Sequence, residues 1–230
     1  MHTAPLDDVK AVCFDLDGTL LDTLEEIASS ANSVLARRGF PEHEIEAYRY
    51  FVGDGVRRLI ERVLPEEHRS PAEVELLTNE LEREYHRRAN RMTKVYPGIP
   101  ELLSELTARN FPLAVLSNKP HNLSLECMEK FFPDHSFEIV QGQSKAYPKK
   151  PDPAGAQHVA EELNCRCAEI LYVGDTNVDM ETAKRSGMIG VGVLWGFRDR
   201  AELLQHGANF IAEVPNEILS LLPESRLDVR

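Results

Sequence analysis

Asp15 and Asp17 stand one residue apart at the end of the apolar run Val12-Cys13-Phe14, and Gly18 follows them directly. Alternate residues of a strand point the same way, so the two carboxylates could face a single point as the chain leaves a sheet. Like charges placed so repel. The pair becomes tolerable when it holds a divalent cation or when one acid keeps a proton, and either arrangement is chemically useful. The plainer alternative is an Asp-Gly turn with a neighbouring surface acid.

Three further apolar runs end in polar residues of the same character. Leu113-Ala114-Val115-Leu116 leads into Ser117-Asn118, a hydroxyl and an N–H suited to a phosphate oxygen, or equally a helix cap. The loop after 137–140 carries Lys145, Lys149 and Lys150, and Pro151-Asp152-Pro153 stiffens the backbone behind Lys150. That loop is either a rigidly placed cation or a solvated basic stretch. Leu171-Tyr172-Val173-Gly174 ends in Asp175, with Asp179 four residues on. Both acids could serve a metal, or Asp175 could cap a helix whose first turn favours Asp179.

Strands must position these groups, and the rest of the chain supplies them. Leu24, Ile27, Ala31, Val34 and Leu35 have helical spacing and predict a helix over 24–38, closed by Gly39. Helices over 42–51, 56–64 and 71–89 follow without an intervening strand, which makes 23–92 an all-helical block. Beyond the break at Tyr96-Pro97-Gly98 the texture alternates: helices over 99–109, 121–131, 154–163, 179–186 and 201–206, with strands over 112–116, 137–140, 170–173 and 189–193. Such a βα series predicts a parallel sheet with helices on both faces. Ligands of such sheets sit beyond the carboxyl ends of the strands, where the polar residues above fall.

The 230 residues, 42% hydrophobic and 28% charged, suffice for one substantial core and a small accessory domain. A net charge of −12 argues against non-specific nucleic-acid binding and means that any phosphate must be met by locally placed positive charge. No transmembrane span is apparent, and the first ten residues lack the basic start and apolar run of a signal peptide, so a cytoplasmic protein is expected. Cys13, Cys127, Cys165 and Cys167 lack metal or redox spacing and read as reduced thiols. Nothing in the sequence chooses between a monomer and a homodimer.

The conjunction of Asp15-Leu16-Asp17-Gly18-Thr19, Ser117, Lys150 and Gly174-Asp175-Thr176-Asn177-Val178-Asp179, in that order and each after an apolar run, resembles the haloacid dehalogenase superfamily of phosphohydrolases. The resemblance covers nearly the whole chain. It implies an α/β fold, a Rossmann-like parallel-sheet core formed by residues 1–22 and 93–230, with 23–92 inserted as an all-helical cap domain. Asp15 would be the nucleophile that forms an aspartyl-phosphate, and Asp17 the acid and base. Ser117, the N–H of Asn118 and Lys150 would bind phosphate. Mg²⁺ would be held by Asp15, the Asp17 carbonyl and Asp175, with Asp179 behind them. Lys149-Lys150-Pro151-Asp152-Pro153, Phe51-Val52-Gly53-Asp54-Gly55 and Gly192-Val193-Leu194-Trp195-Gly196-Phe197 are most similar to the phosphoglycolate phosphatase group, which implies 2-phosphoglycolate as the small phosphorylated substrate.

Gly53, Gly55 and Arg57, with Arg58 beside it, lie at the start of a cap helix and would receive a small carboxylate; the alternative is a plain turn whose arginines face water. Related enzymes act on sugar phosphates or pyrophosphate, and a β-phosphoglucomutase-like sugar phosphomutase would share the mechanism. A receiver-like signalling or binding protein also gathers acids and a lysine at strand ends, but has no use for the helical block.

Overall fold

The computed structural model describes residues 6–88 and 90–225. Along the chain the elements are β1 (Ala11–Phe14), β2 (Leu21–Asp22), α1 (Leu24–Arg37), α2 (Tyr48–Phe51), α3 (Val56–Val63) and α4 (Pro71–Arg88). Then come β3 (Lys94–Val95), α5 (Ile99–Ala108), β4 (Leu113–Pro120), α6 (His121–Phe131), β5 (Ile139–Gln143), α7 (Ala154–Glu162), β6 (Ile170–Gly174), α8 (Asn177–Ser186), β7 (Ile189–Val193), α9 (Arg200–Gln205) and β8 (Phe210–Ala212).

Six of the strands form one sheet in the order β5-β4-β1-β6-β7-β8, with every neighbouring pair parallel. The apolar runs read as strands form β1, β4, β6 and β7 and the edge strand β5, and β1 and β6 are buried throughout because helices cover both faces. Val12, Phe14, Val115, Val173 and Val191 pack toward α5 and α6 on one side. Ala11, Cys13, Tyr172, Val159 and Ala183 fill the other, under α7 and α8. From β1 the chain winds to β4 and β5 in one direction and to β6, β7 and β8 in the other. The switch point, where such sheets open a crevice, is therefore the carboxyl end of β1 between its neighbours. Phe14 pairs with Val115 on one side and Val173 on the other, so Asp15, Ser117 and Asp175 emerge at nearly the same level.

Between β2 and β3 the chain is helical, as the sequence predicts, with its own apolar cluster of Ala28, Ala31, Leu35, Tyr48, Ile60 and Leu77, onto which Leu123 and Phe197 also pack. β2 and β3 pair antiparallel, Leu21 with Val95 and Asp22 with Lys94, so the insertion leaves and returns through a two-stranded ribbon. Gly39 follows α1 in the left-handed region at φ 75°, as its closing role requires.

Several expectations need correction. The helix expected over 42–51 is a 3₁₀ turn at Ile45–Ala47 running into the short α2, and β2, β3 and β8 are too short to have shown a period. The strand expected over 112–116 continues to Pro120, which places Ser117 and Asn118 on the strand itself rather than in a helix cap. No disulfide joins the cysteines among the described residues.

Candidate active site

Lys150 organises the crevice. Its buried ammonium donates to Asp15 Oδ1 (2.9 Å), Asp179 Oδ1 (2.7 Å), the Tyr172 hydroxyl (2.9 Å) and the Leu116 carbonyl (3.0 Å). Although burial disfavours the charged form, Asp15 and Asp179 keep Lys150 protonated and raise its pKa. Its backbone is pinned as well, by N–H donation to Asn118 Oδ1 at 2.8 Å. A solvated basic loop would show none of this.

Asp15, at the end of β1, also accepts the Leu16 N–H at 2.7 Å. Burial, then the Asp179 charge, push its carboxyl up to about 7 against the pull of Lys150. Asp175 is fully buried after β6 and accepts Thr19 Oγ1 (3.0 Å) and the Phe197 N–H (2.8 Å). Burial and the two neighbouring acids raise its pKa well above the carboxylate range. The N-cap of α8 is Thr176 and not Asp175, and Asp179 in the first turn closes a capping box with it, so the first-turn alternative for Asp179 holds together with the ion pair to Lys150. Burial opposes its charge, but Lys150 and Thr176 hold it below its ordinary value.

Oxygens of Asp15, Asp175 and Asp179 lie within 4.8 Å of one another, and the Lys150 ammonium pairs with Asp15 and Asp179 but not with Asp175. Two of the three are driven toward protonation, the electrostatic signature of a cluster short of positive charge. The donors are all oxygen, as a hard divalent cation requires. The walls are close: a Cβ on Gly18 would lie 2.2 Å from Asp175 Oδ2, and one on Gly196 only 2.3 Å from the Asp175 Cβ. A divalent cation fits this cradle.

Asp17 faces a pocket between the sheet and the helical insertion, together with Asp15, Ser117, Asn118, Gly53 and Gly55. Its carboxylate accepts the Lys119 ammonium at 3.1 and 3.2 Å, and Lys119 donates in turn to the Tyr85 hydroxyl of α4 at 2.7 Å. The Lys119 side chain is only 4% exposed. Neither Lys119 nor Tyr85 was anticipated. Once the strand is ended at Leu116, Lys119 reads as an ordinary loop lysine, whereas β4 carries it along with Ser117 into the pocket. Tyr172, Thr19 and the Phe197 N–H were likewise missed, because each acts by fixing another group.

The insertion meets the core through its glycine turn, by a different face from the one expected. The Gly53 carbonyl accepts Asn118 Nδ2 (3.0 Å), and the Asp54 carbonyl accepts Lys149 Nζ (2.6 Å). Arg49 donates to the Gly196 carbonyl at 2.6 Å, and Arg198 reaches back to the Arg49 and Val52 carbonyls. Gly53 and Gly55 do line the pocket. Arg57 does not: its side chain is 53% exposed and pairs with Glu61 at 3.4 Å, as Arg58 does at 2.8 Å. The structure does not bring Arg57 to the pocket: the start of α3 turns both arginines outward.

The sequence profile of the haloacid dehalogenase-like hydrolases matches residues 12–193, from β1 to the end of β7. The chain belongs to this family. A phosphoglycolate phosphatase from Neisseria meningitidis is 32% identical over 224 residues, covering 96% of this chain and 94% of its own. One from Aquifex aeolicus is 31% identical over 214 residues, covering 93% and 97%. A haloacid dehalogenase-like protein of known structure from Streptococcus pneumoniae shares the fold, with a TM-score of 0.85 over 94% of this chain and 99% of that one, at 23% identity. The hydrolase described here is thus a phosphatase of this family. Among its described residues no helix is long and apolar enough to cross a membrane.

Proposed function

We propose that this phosphatase hydrolyses 2-phosphoglycolate with Mg²⁺, through a phosphorylated Asp15. The observation that carries the reading is the convergence of Asp15, Asp17 and Ser117 on one pocket with Lys150 and Asp175 directly behind, in a chain nearly collinear with phosphoglycolate phosphatases. Residues 1–22 and 93–230 act as the catalytic core and 23–92 as the cap.

In the first displacement an Asp15 oxygen bonds to phosphorus as the bond from phosphorus to the glycolate oxygen breaks, and Asp17 gives its proton to the departing alkoxide. In the second, Asp17 takes a proton from water; the water oxygen bonds to phosphorus, the acyl-phosphate bond breaks, and inorganic phosphate leaves with Asp15 restored. Ser117, the Asn118 N–H and Lys150 hold the phosphoryl oxygens, and the Lys150 charge favours the ionised form of Asp15 that attacks, against the burial that opposes it. Mg²⁺ would be held by Asp15, Asp175 and the Asp17 carbonyl, Asp179 standing behind them, and would offset phosphate charge.

The test is turnover of phosphoglycolate, three-carbon phosphorylated acids, sugar phosphates and pyrophosphate with and without Mg²⁺, alongside trapping of a phosphoenzyme. Asp15→Asn is expected to abolish turnover and the phosphoenzyme while leaving the thermal transition in place. A preference for a sugar phosphate would overturn the substrate; a fully active Asp15→Asn would overturn the mechanism.

A further inference from the structure

With Arg57 facing solvent, the pocket needs another group to recognise an anionic leaving group, and Lys119 is the cation that lines it. An ammonium carries three N–H groups. Those of Lys119 meet the two Asp17 oxygens at 3.1 and 3.2 Å and the Tyr85 hydroxyl at 2.7 Å. Lys119 borders the same pocket as Asp15 and Ser117, so its charge faces whatever the pocket holds. No other cation lines that pocket among the described residues. Ile27, Val56, Leu59 and Leu81 give its cap wall an apolar surface, and Glu82 lines it too.

We propose that Lys119 is the specificity residue that takes a carboxylate carried by the leaving group, with Tyr85 of the cap holding the ammonium in place. The inference rests on the phosphoglycolate reading and names the contact that reading lacks. It also sets the substrate class, a phosphomonoester whose acid lies within a carbon or two of the ester oxygen. Ser117 and Lys119 lie two residues apart on β4 and line one pocket, which suits a short molecule with its phosphate at one and its carboxylate at the other. Because Tyr85 belongs to α4, the recognition site is complete only while the cap lies against the core.

The experiment compares kcat/KM for phosphoglycolate and ethyl phosphate, an acid and its neutral counterpart that both leave as alkoxides, so that any effect on Asp17 cancels in their ratio. Wild type is expected to prefer phosphoglycolate. Lys119→Met should reduce that preference roughly 10- to 100-fold, as loss of a charge-assisted hydrogen bond implies. Lys119→Arg should keep most of it, and Tyr85→Phe should lose a few-fold. Equal losses on both esters would overturn the proposal, since Lys119 would then only position Asp17; so would a wild type with no preference for the acid. Calorimetric binding of phosphoglycolate to Asp15→Asn, with and without Lys119→Met, separates the two readings. If wild type fails to hydrolyse phosphoglycolate yet binding still depends on Lys119, the proposed reaction is wrong and the recognition stands; binding indifferent to Lys119 sinks the recognition.

Discussion

Lys150→Met keeps the aliphatic stem and deletes one ammonium, which makes it a direct measure of what that charge holds together. Four contacts of 2.7 to 3.0 Å disappear, and Asp15, Asp175 and Asp179, with oxygens within 4.8 Å, are left buried without a cation. Removing one partner of a buried pair costs about 3–5 kcal/mol. At about 2–4 °C per kcal/mol for a chain of this size, the melting temperature should fall by about 6–20 °C. The loss has a pH signature. Asp15 already titrates at about 7, and Lys150 is the main force holding Asp179 down. Without it both bind protons more tightly folded than unfolded, and such groups contribute stability at low pH that is lost as pH rises through the folded pKa. The deficit should therefore be greatest near pH 8 and shrink toward pH 5. Scanning fluorimetry in chelator across that range is the assay, with Asp179→Asn added to relieve part of the repulsion. A loss below about 1 kcal/mol at pH 8, or a deficit that grows on acidification, would refute the reasoning.

Asp17→Asn should cost about 10²–10⁴-fold on phosphoglycolate and far less on p-nitrophenyl phosphate, whose phenolate leaves without a proton; equal losses would remove the general-acid role. Asp175→Ala should raise the Mg²⁺ concentration for half-activation by at least about ten-fold more than Asp179→Ala does. Asp179→Ala should act mainly on the melting temperature, since its carboxylate is engaged by Lys150, Tyr172 and Thr176. Gly196→Ala places a methyl 2.3 Å from the Asp175 Cβ and 2.4 Å from the Gly18 carbonyl oxygen. It should cost about 1–3 kcal/mol and weaken Mg²⁺ activation, and wild-type behaviour in a metal titration would show that the loop yields.

The sheet was legible because its central strands are buried on both faces and so read as unbroken apolar runs. The helical insertion was legible through its period. Turns and short strands were not: residues 42–51 hold charges and aromatics at spacings that suit a helix, yet only Tyr48–Phe51 forms one. In the site, Asp15, Asp175, Asp179 and Lys150 were visible because each stands just after an apolar run or is stiffened by proline. Lys119 was hidden by ending its strand four residues early. Arg57 misled because a helix start says where N–H groups point, not which way the next side chains turn; Glu61, one turn on, decides that here.

The two-stranded ribbon has a consequence for how such a protein can change over evolutionary time. Leu21 and Asp22 pair with Val95 and Lys94, so the chain comes back beside the point it left, and the sheet experiences the entire insertion as though it were a hairpin turn. The register of β1 against β4 and β6 does not depend on what lies between. A lineage can thus lengthen, shorten or replace the helices while the strand ends that carry the chemistry keep their places. The constraint on such exchange is local: any new lid must cover Leu123 and Phe197, the core side chains that pack into the present one. It must also supply a carbonyl for Asn118, or leave that amide to water.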